Sequence, residues 1–135
     1  MTSRTTIANE ITATGTALHA GVPVTMTLSP APAGQGVVFV RADLPGVAIP
    51  ARYDQVGETR LGTVIGQGVE SVGVVEHLMA AVSGLEIDDL TVTLDGPEPP
   101  ILDGDALSYA LLLEQAGRKP QAAPRTAIRV LREVT

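Results

Sequence analysis

The clearest pattern along the chain lies between Val22 and Pro30, where Val24, Met26 and Leu28 alternate with Thr25, Thr27 and Ser29. Neighbouring side chains of a strand point to opposite faces, so this period of two predicts a half-buried strand. Thr6 to Ala13 alternates more weakly, with Ile7 and Ile11 on one side, and the glycine-bounded Gly15 to Gly21 between them reads as a turn. A breaker cluster from Pro30 to Gly36 precedes a short buried strand at Val37 to Arg41. Val47 to Tyr53 and Leu61 to Ile65 read as short strands around a polar connection.

The period then changes. Val72, Val75, Met79 and Val82, with Leu78 and Leu85, fall on one helical stripe from Gly73 to Ser83, and Gly84 is a stop signal. Leu90, Val92 and Leu94 alternate again as a strand, which Pro97 to Pro100 interrupts. A second helix is expected from Asp105, as N-cap, to Ala116, with Leu107, Leu111 and Leu112 on its buried face and Gly117 ending it. Pro120 to Pro124 reads as a linker and Thr126 to Val134 as a final strand, the start of something further on. The order predicts an α+β two-layer sandwich, a mostly antiparallel sheet of about five strands with two helices on one face. The expected division is a domain over 1–119 and a linker plus trailing strand over 120–135.

Composition narrows what such a domain can do. Of the 135 residues 44% are hydrophobic and 18% charged, which suits a packed core and excludes a disordered chain. Phe39, Tyr53 and Tyr109 are the only aromatics, so there is no stacking platform for single-stranded nucleic acid. A net charge of −6 disfavours nucleic acid and anionic membranes as partners. Arg118, Lys119, Arg125, Arg129 and Arg132 crowd the C-terminal stretch, and a solvated strand face is the simpler account of them. The absence of cysteine excludes disulfides, thiol catalysis and cysteine zinc knuckles. No apolar leader or membrane-length run occurs, so the cytoplasm is the expected location.

Two histidines are present, His19 and His77. His77 follows Glu76 at the start of the first predicted helix. The positive end of a helix dipole favours a carboxylate and disfavours an imidazolium, leaving an imidazole free for a metal. A carboxylate beside a metal site can act as general base. Taken alone, however, the pair reads better as an ordinary helix start, because Glu is common there and His77 lies near the buried stripe.

Three segments shift that balance: Gly15-Thr-Ala-Leu-His-Ala-Gly21, Val75-Glu-His-Leu-Met-Ala-Ala81 and Pro97-Glu-Pro-Pro-Ile-Leu-Asp-Gly104. In this order and at these separations they resemble the UDP-3-O-acyl-N-acetylglucosamine deacetylase family, zinc amidohydrolases of lipid A synthesis. Leu61-Gly-Thr63, Leu28-Ser-Pro-Ala-Pro32 and Leu111-Leu-Leu113 are similar too, so the likeness runs from about Thr6 to Val134. It implies two similar α+β domains packed helix layer to helix layer around a zinc, this chain matching the first. His77 is then a zinc ligand and Glu76 the general base. Leu61, Gly62 and Thr63 border the metal and the reacting acyl group, with His19 near the same rim on the substrate side, and Asp103 buttresses the second helix.

The departures are local, apart from one. Gly73-Val74 stands where the family usually has Ser-Thr, Asp105 where it has Ser, and Ser108-Tyr109 where it has Pro-Phe. The family's remaining zinc ligands, a His and an Asp on one helix, its catalytic Lys and a further acid His all lie in its second domain. None falls within these 135 residues. A catalytic zinc needs three protein ligands and an open position. His77 is one and His19 a possible second, so the zinc site of this chain alone is expected to be weak or incomplete. The leading expectation is therefore the N-terminal half of the deacetylase, acting on a UDP-3-O-acyl-glucosamine-type substrate once the other half is supplied. The alternatives are a stand-alone non-catalytic paralogue serving as a binding or regulatory module, and a homodimer pairing two copies. Either way the uncovered helix layer predicts self-association or a partner chain.

Overall fold

The computed structural model describes residues 2–135. Along the chain run β1 (Ser3–Ile7), β2 (Ile11–Thr16), β3 (Pro23–Pro30), β4 (Val37–Arg41), β5 (Ala48–Pro50), β6 (Val56–Glu58), β7 (Val64–Gln67) and β8 (Glu70–Val72). They are followed by α1 (Glu76–Gly84), β9 (Leu90–Leu94), α2 (Leu107–Ala116) and β10 (Arg118–Pro124). The main sheet has five strands in the order β2-β3-β9-β4-β5. The chain is α+β as expected, but the sheet is mixed: β3 pairs antiparallel with β2 and β9, whereas β4 runs parallel to β9. Parallel neighbours need a long crossover. Here it is everything from Ala42 to Asp89, including the small sheet β6-β7-β8 and α1.

Register explains the two faces. Leu28 lies opposite both Ile11 and Val92, and Met26 opposite Leu94, which puts the apolar set of three strands on one side. Thr27 lies opposite Thr12 and Thr93 on the other. The apolar side is capped by Leu78, Ala81 and Val82 of α1 and by Tyr109, Leu113 and Ala116 of α2, all buried. The alternation around Val24 and Leu90 was thus a true strand signal, and the helical stripe faces this core.

Element ends depart from expectation where tertiary contacts override local preference. The first helix starts at Glu76 rather than Gly73. Val74 is held at φ +52, a left-handed conformation that a β-branched residue rarely adopts, and the Gly73 amide donates to the Pro97 carbonyl instead of joining a helix. The second starts at Leu107, after the side chains of Asp103 and Asp105 have accepted bonds from the Ser108 hydroxyl and amide. Gly117, at φ +80, ends it as expected.

The expected linker Pro120–Pro124 is most of β10, antiparallel to β1 with Thr5 opposite Pro120 and Ser3 opposite Pro124. The expected strand Thr126–Val134 does not form. A strand needs a neighbour for its ladder, and Ile128, Val130, Leu131 and Val134 stand exposed without one among the described residues.

Two ion pairs, each with one buried member, set the frame. Asp89, fully buried, takes both nitrogens of an Arg4 fork at 2.9 Å and the amides of Gly34 and Gly36 at 3.1 and 2.8 Å. Burial alone would raise its pKa, but these donors together hold it below the usual carboxylate range. Arg41, at the end of β4, pairs with Asp43 at 2.7 Å and donates to the carbonyls of Ser71 and Val69. The bond to Asp43 holds that carboxyl below its ordinary pKa, and the bonds to the Ser71 and Val69 carbonyls moor the small sheet to the main one.

Candidate active site

Glu76 is the first residue of α1. Val75 is the N-cap and offers no side-chain cap. The Glu76 carboxylate instead accepts the Thr63 amide at 3.1 Å through Oε2, while the Val75 amide donates to the Thr63 carbonyl at 3.3 Å. The loop before β7 is therefore stitched to the start of the helix in both directions. Gly62 makes this possible: its φ is +152, and a Cβ there would lie 3.1 Å from Glu76 Oε1. His77 comes next on the helix. It is partly buried, not enclosed in the aliphatic core, and its ring makes no hydrogen bond among the described residues.

The glycine-bounded turn after β2 brings in His19. Its Nε2–H donates to the Leu61 carbonyl at 2.9 Å. A carbonyl can only accept, so the proton sits on Nε2 and Nδ1 is the nitrogen left free. The turn is pinned from below by Glu98, 7% exposed, whose two oxygens accept the amides of His19 at 3.0 Å and Ala20 at 3.2 Å. His19, Leu61, Gly62, Val74 and Glu98 line an open cleft of about 550 Å³, and Arg60 stands at its wall. Thr63, Glu76 and Met79 line an adjoining groove of about 400 Å³.

The structure links five of the six expected site residues: His19 bonds to Leu61, Gly62 abuts Glu76 and Thr63 bonds to Glu76. His77 follows Glu76 on the helix but lines neither of these two cavities. What it does not form is a metal cage. Among the described residues no three His, Cys, Asp or Glu side chains could hold a metal together, so His19 does not complete a ligand set with His77.

Two residues of this neighbourhood escaped the sequence reading. Glu98 lay within a motif but carried no visible role, because nothing local announces that a carboxylate will be buried against distant amides. Tyr109 looked like a departure. It is 1% exposed, its hydroxyl donates to the Pro100 carbonyl, and burial, with the nearby Glu76 charge, pushes its pKa up to about 12. The phenol stays protonated as a donor that holds the proline-rich segment against α2.

Comparison with known proteins settles the kinship. The model of the family described as LpxC, UDP-3-O-acyl N-acetylglycosamine deacetylase, matches residues 4–135. The chain belongs to this deacetylase family. Proteins named UDP-3-O-acyl-N-acetylglucosamine deacetylase from Pseudomonas entomophila (strain L48) and Cellvibrio japonicus (strain Ueda107) are 48% and 47% identical over 136 residues, covering all of this chain and 45% of theirs. One from Myxococcus xanthus (strain DK1622) is 49% identical over 122 residues, covering 90% of this chain and 39% of its own length. The chain spans under half the length of these deacetylase relatives. No helix among its described residues is long and apolar enough to cross a membrane.

Proposed function

We propose that this chain supplies the N-terminal half of a zinc-dependent UDP-3-O-acyl-N-acetylglucosamine deacetylase, with Glu76 as general base and His77 as a zinc ligand. The observation that carries this reading is that both stand on the half-buried opening turn of α1, beside a loop that approaches only because residue 62 is glycine. A zinc ion, when bound, supplies Lewis-acid polarisation of the scissile amide. Among the described residues no three donor side chains converge on such an ion, so His77 would hold it only with ligands from elsewhere. Glu76 keeps acceptor capacity beyond its single bond from Thr63, as a base that takes a proton from water must. Thr63 orients that carboxylate, and Leu61, Gly62 and His19 border the substrate in the adjoining cleft.

Completion requires other residues. Leu107 and Leu111 of α2, expected on its buried face, are instead 63% and 55% exposed, the core side being Tyr109, Leu113 and Ala116; this supports cover by a second unit, a second copy or a partner chain. Residues 126–135, beyond β10, are then the run-in to that second unit. Their exposed Ile128, Val130, Leu131 and Val134 support this, as does the greater length of the relatives. A nucleotide-sugar substrate and a cysteine-free sequence suit a cytoplasmic setting.

The test is turnover of UDP-3-O-acyl-N-acetylglucosamine, first by the 135-residue chain and then with the C-terminal portion of a relative added in trans. Negligible turnover alone, restored by the addition, is expected. Full turnover by the chain alone would contradict the half-site reading. Sedimentation should also show the isolated chain associating, and a clean monomer at high concentration would argue against an uncovered helix layer.

A further inference from the structure

The cleft is framed by a closed circuit of bonds. From Glu98 it runs through the His19 amide and ring to the Leu61 carbonyl, along Gly62 to Thr63, and across to Val75 and Glu76. It returns through Val74 and Gly73, whose amide donates to the Pro97 carbonyl beside Glu98. The segment around Glu98 therefore holds both limbs of the site at once: the His19 turn on one side and the loop entering α1 on the other. The two holds differ in kind. The link to Gly73 is backbone, and the start of the His19 turn is likewise held by backbone, through the Ala17–Pro100 bridge and the Ile101 amide on the Thr16 carbonyl. The amides of His19 and Ala20 themselves, by contrast, are held by one side chain.

We propose that Glu98 is the positioning residue for His19, setting where the imidazole stands in the cleft and hence how the substrate is held. Its burial and its geometry carry this. A carboxylate in a turn of Pro97, Pro99 and Pro100 normally faces water, yet Glu98 is turned inward and spends each oxygen on a consecutive amide of the facing turn. Among the described residues it has no cationic partner, so those amides are its recorded compensation. Leu18 and Ala20 flank His19 as exposed residues, so neither side chain buries itself to fix the turn. Remove Glu98, and the His19 and Ala20 amides lose their acceptor, leaving the tip of the turn with its own backbone closure from Gly21 to Ala17 and the ring's bond to the Leu61 carbonyl. The role in substrate binding rests on the deacetylase reading; the role in placing His19 does not.

The test therefore has two arms. In the first, ring-nitrogen NMR of the 135-residue chain reports the His19 tautomer, with E98Q and E98A compared to the parent. The parent should show a ring fixed with its proton on Nε2. E98A should release it towards tautomer averaging and shift the His19 and Ala20 amides. E98Q has one acceptor oxygen instead of two, so it should disturb one of those amides and release the ring in part; it also carries this arm should E98A fail to fold. Unchanged ring and amide shifts in a folded variant would overturn the proposal. In the second arm, E98Q is assayed in the deacetylase reassembled with a relative's C-terminal portion. KM should rise about tenfold with kcat little changed, the pattern of lost uniform binding. A fall in kcat at unchanged KM would overturn the positioning role. If the unsubstituted assembly has no deacetylase activity, the functional reading fails by itself, and the NMR arm still decides the role of Glu98.

Discussion

Asp89, at the end of the connection from α1 to β9, and Glu76, at the start of α1, are both carboxylates, and the fold treats them in opposite ways. Asp89 is sealed from solvent and saturated by two Arg4 nitrogens and two amides. Glu76 sits at the surface end of α1 and, among the described residues, accepts one bond. Every acceptor site filled makes a group an architectural fixture, since any change leaves a buried donor unpaired. Capacity left over makes a group available for chemistry at the cost of contributing little to stability. Glu76, the proposed general base, falls on the second kind of site, which is where such a group has to be.

Substitutions can break this contrast. The largest effect is expected from Glu76→Gln: assayed in the reassembled enzyme, turnover should fall by about 10²–10⁴-fold. Its denaturation midpoint should stay within the equivalent of about 0.5 kcal/mol of the parent. Asp89→Ala should do the reverse in stability, costing about 3–5 kcal/mol in urea titrations because Arg4 and two amides lose their acceptor.

The pH dependence sharpens the same point. Asp89 has a folded-state pKa below its unfolded value, so the folded chain binds fewer protons there. Its contribution is fully present above the unfolded carboxylate value of about 4 and is lost as the pH falls through the folded one. Asp89→Asn should therefore flatten the acid limb of a stability–pH curve, while Glu76→Gln leaves that limb in place. Gly62→Ala is the mildest probe. At φ +152, with Glu76 Oε1 3.1 Å from the new methyl, it should cost about 1 kcal/mol and displace the Thr63 bond, visible as a shifted Thr63 amide in NMR.

Much of the architecture was legible because it rests on short-range periodicity. The strand around Met26 and the stripe through Leu78 and Val82 each state their period in a few residues. What was not legible depends on distant partners. The small sheet was mostly missed: Val56–Glu58 is wholly exposed, and β7 and β8 meet at a glycine turn, so no alternation marks them. Pro120 and Pro124 read as linker signals, yet a two-stranded ribbon tolerates proline where no ladder donor is needed. The start of α1 was misplaced because Val74 is forced out of the helix by the Gly73–Pro97 bond, 24 residues apart.

The site divides in the same way. Glu76 and His77 were visible because a helix start and a motif coincide in sequence. The inward turn of Glu98 was not, since burial of a carboxylate is decided by the fold around it.

The most direct measurement is a zinc titration of the 135-residue chain beside its His77→Ala variant, followed by calorimetry and histidine NMR. A weak single event that perturbs the His77 ring and disappears in the variant is expected. Tight, stoichiometric zinc that survives His77→Ala would contradict the half-site assignment.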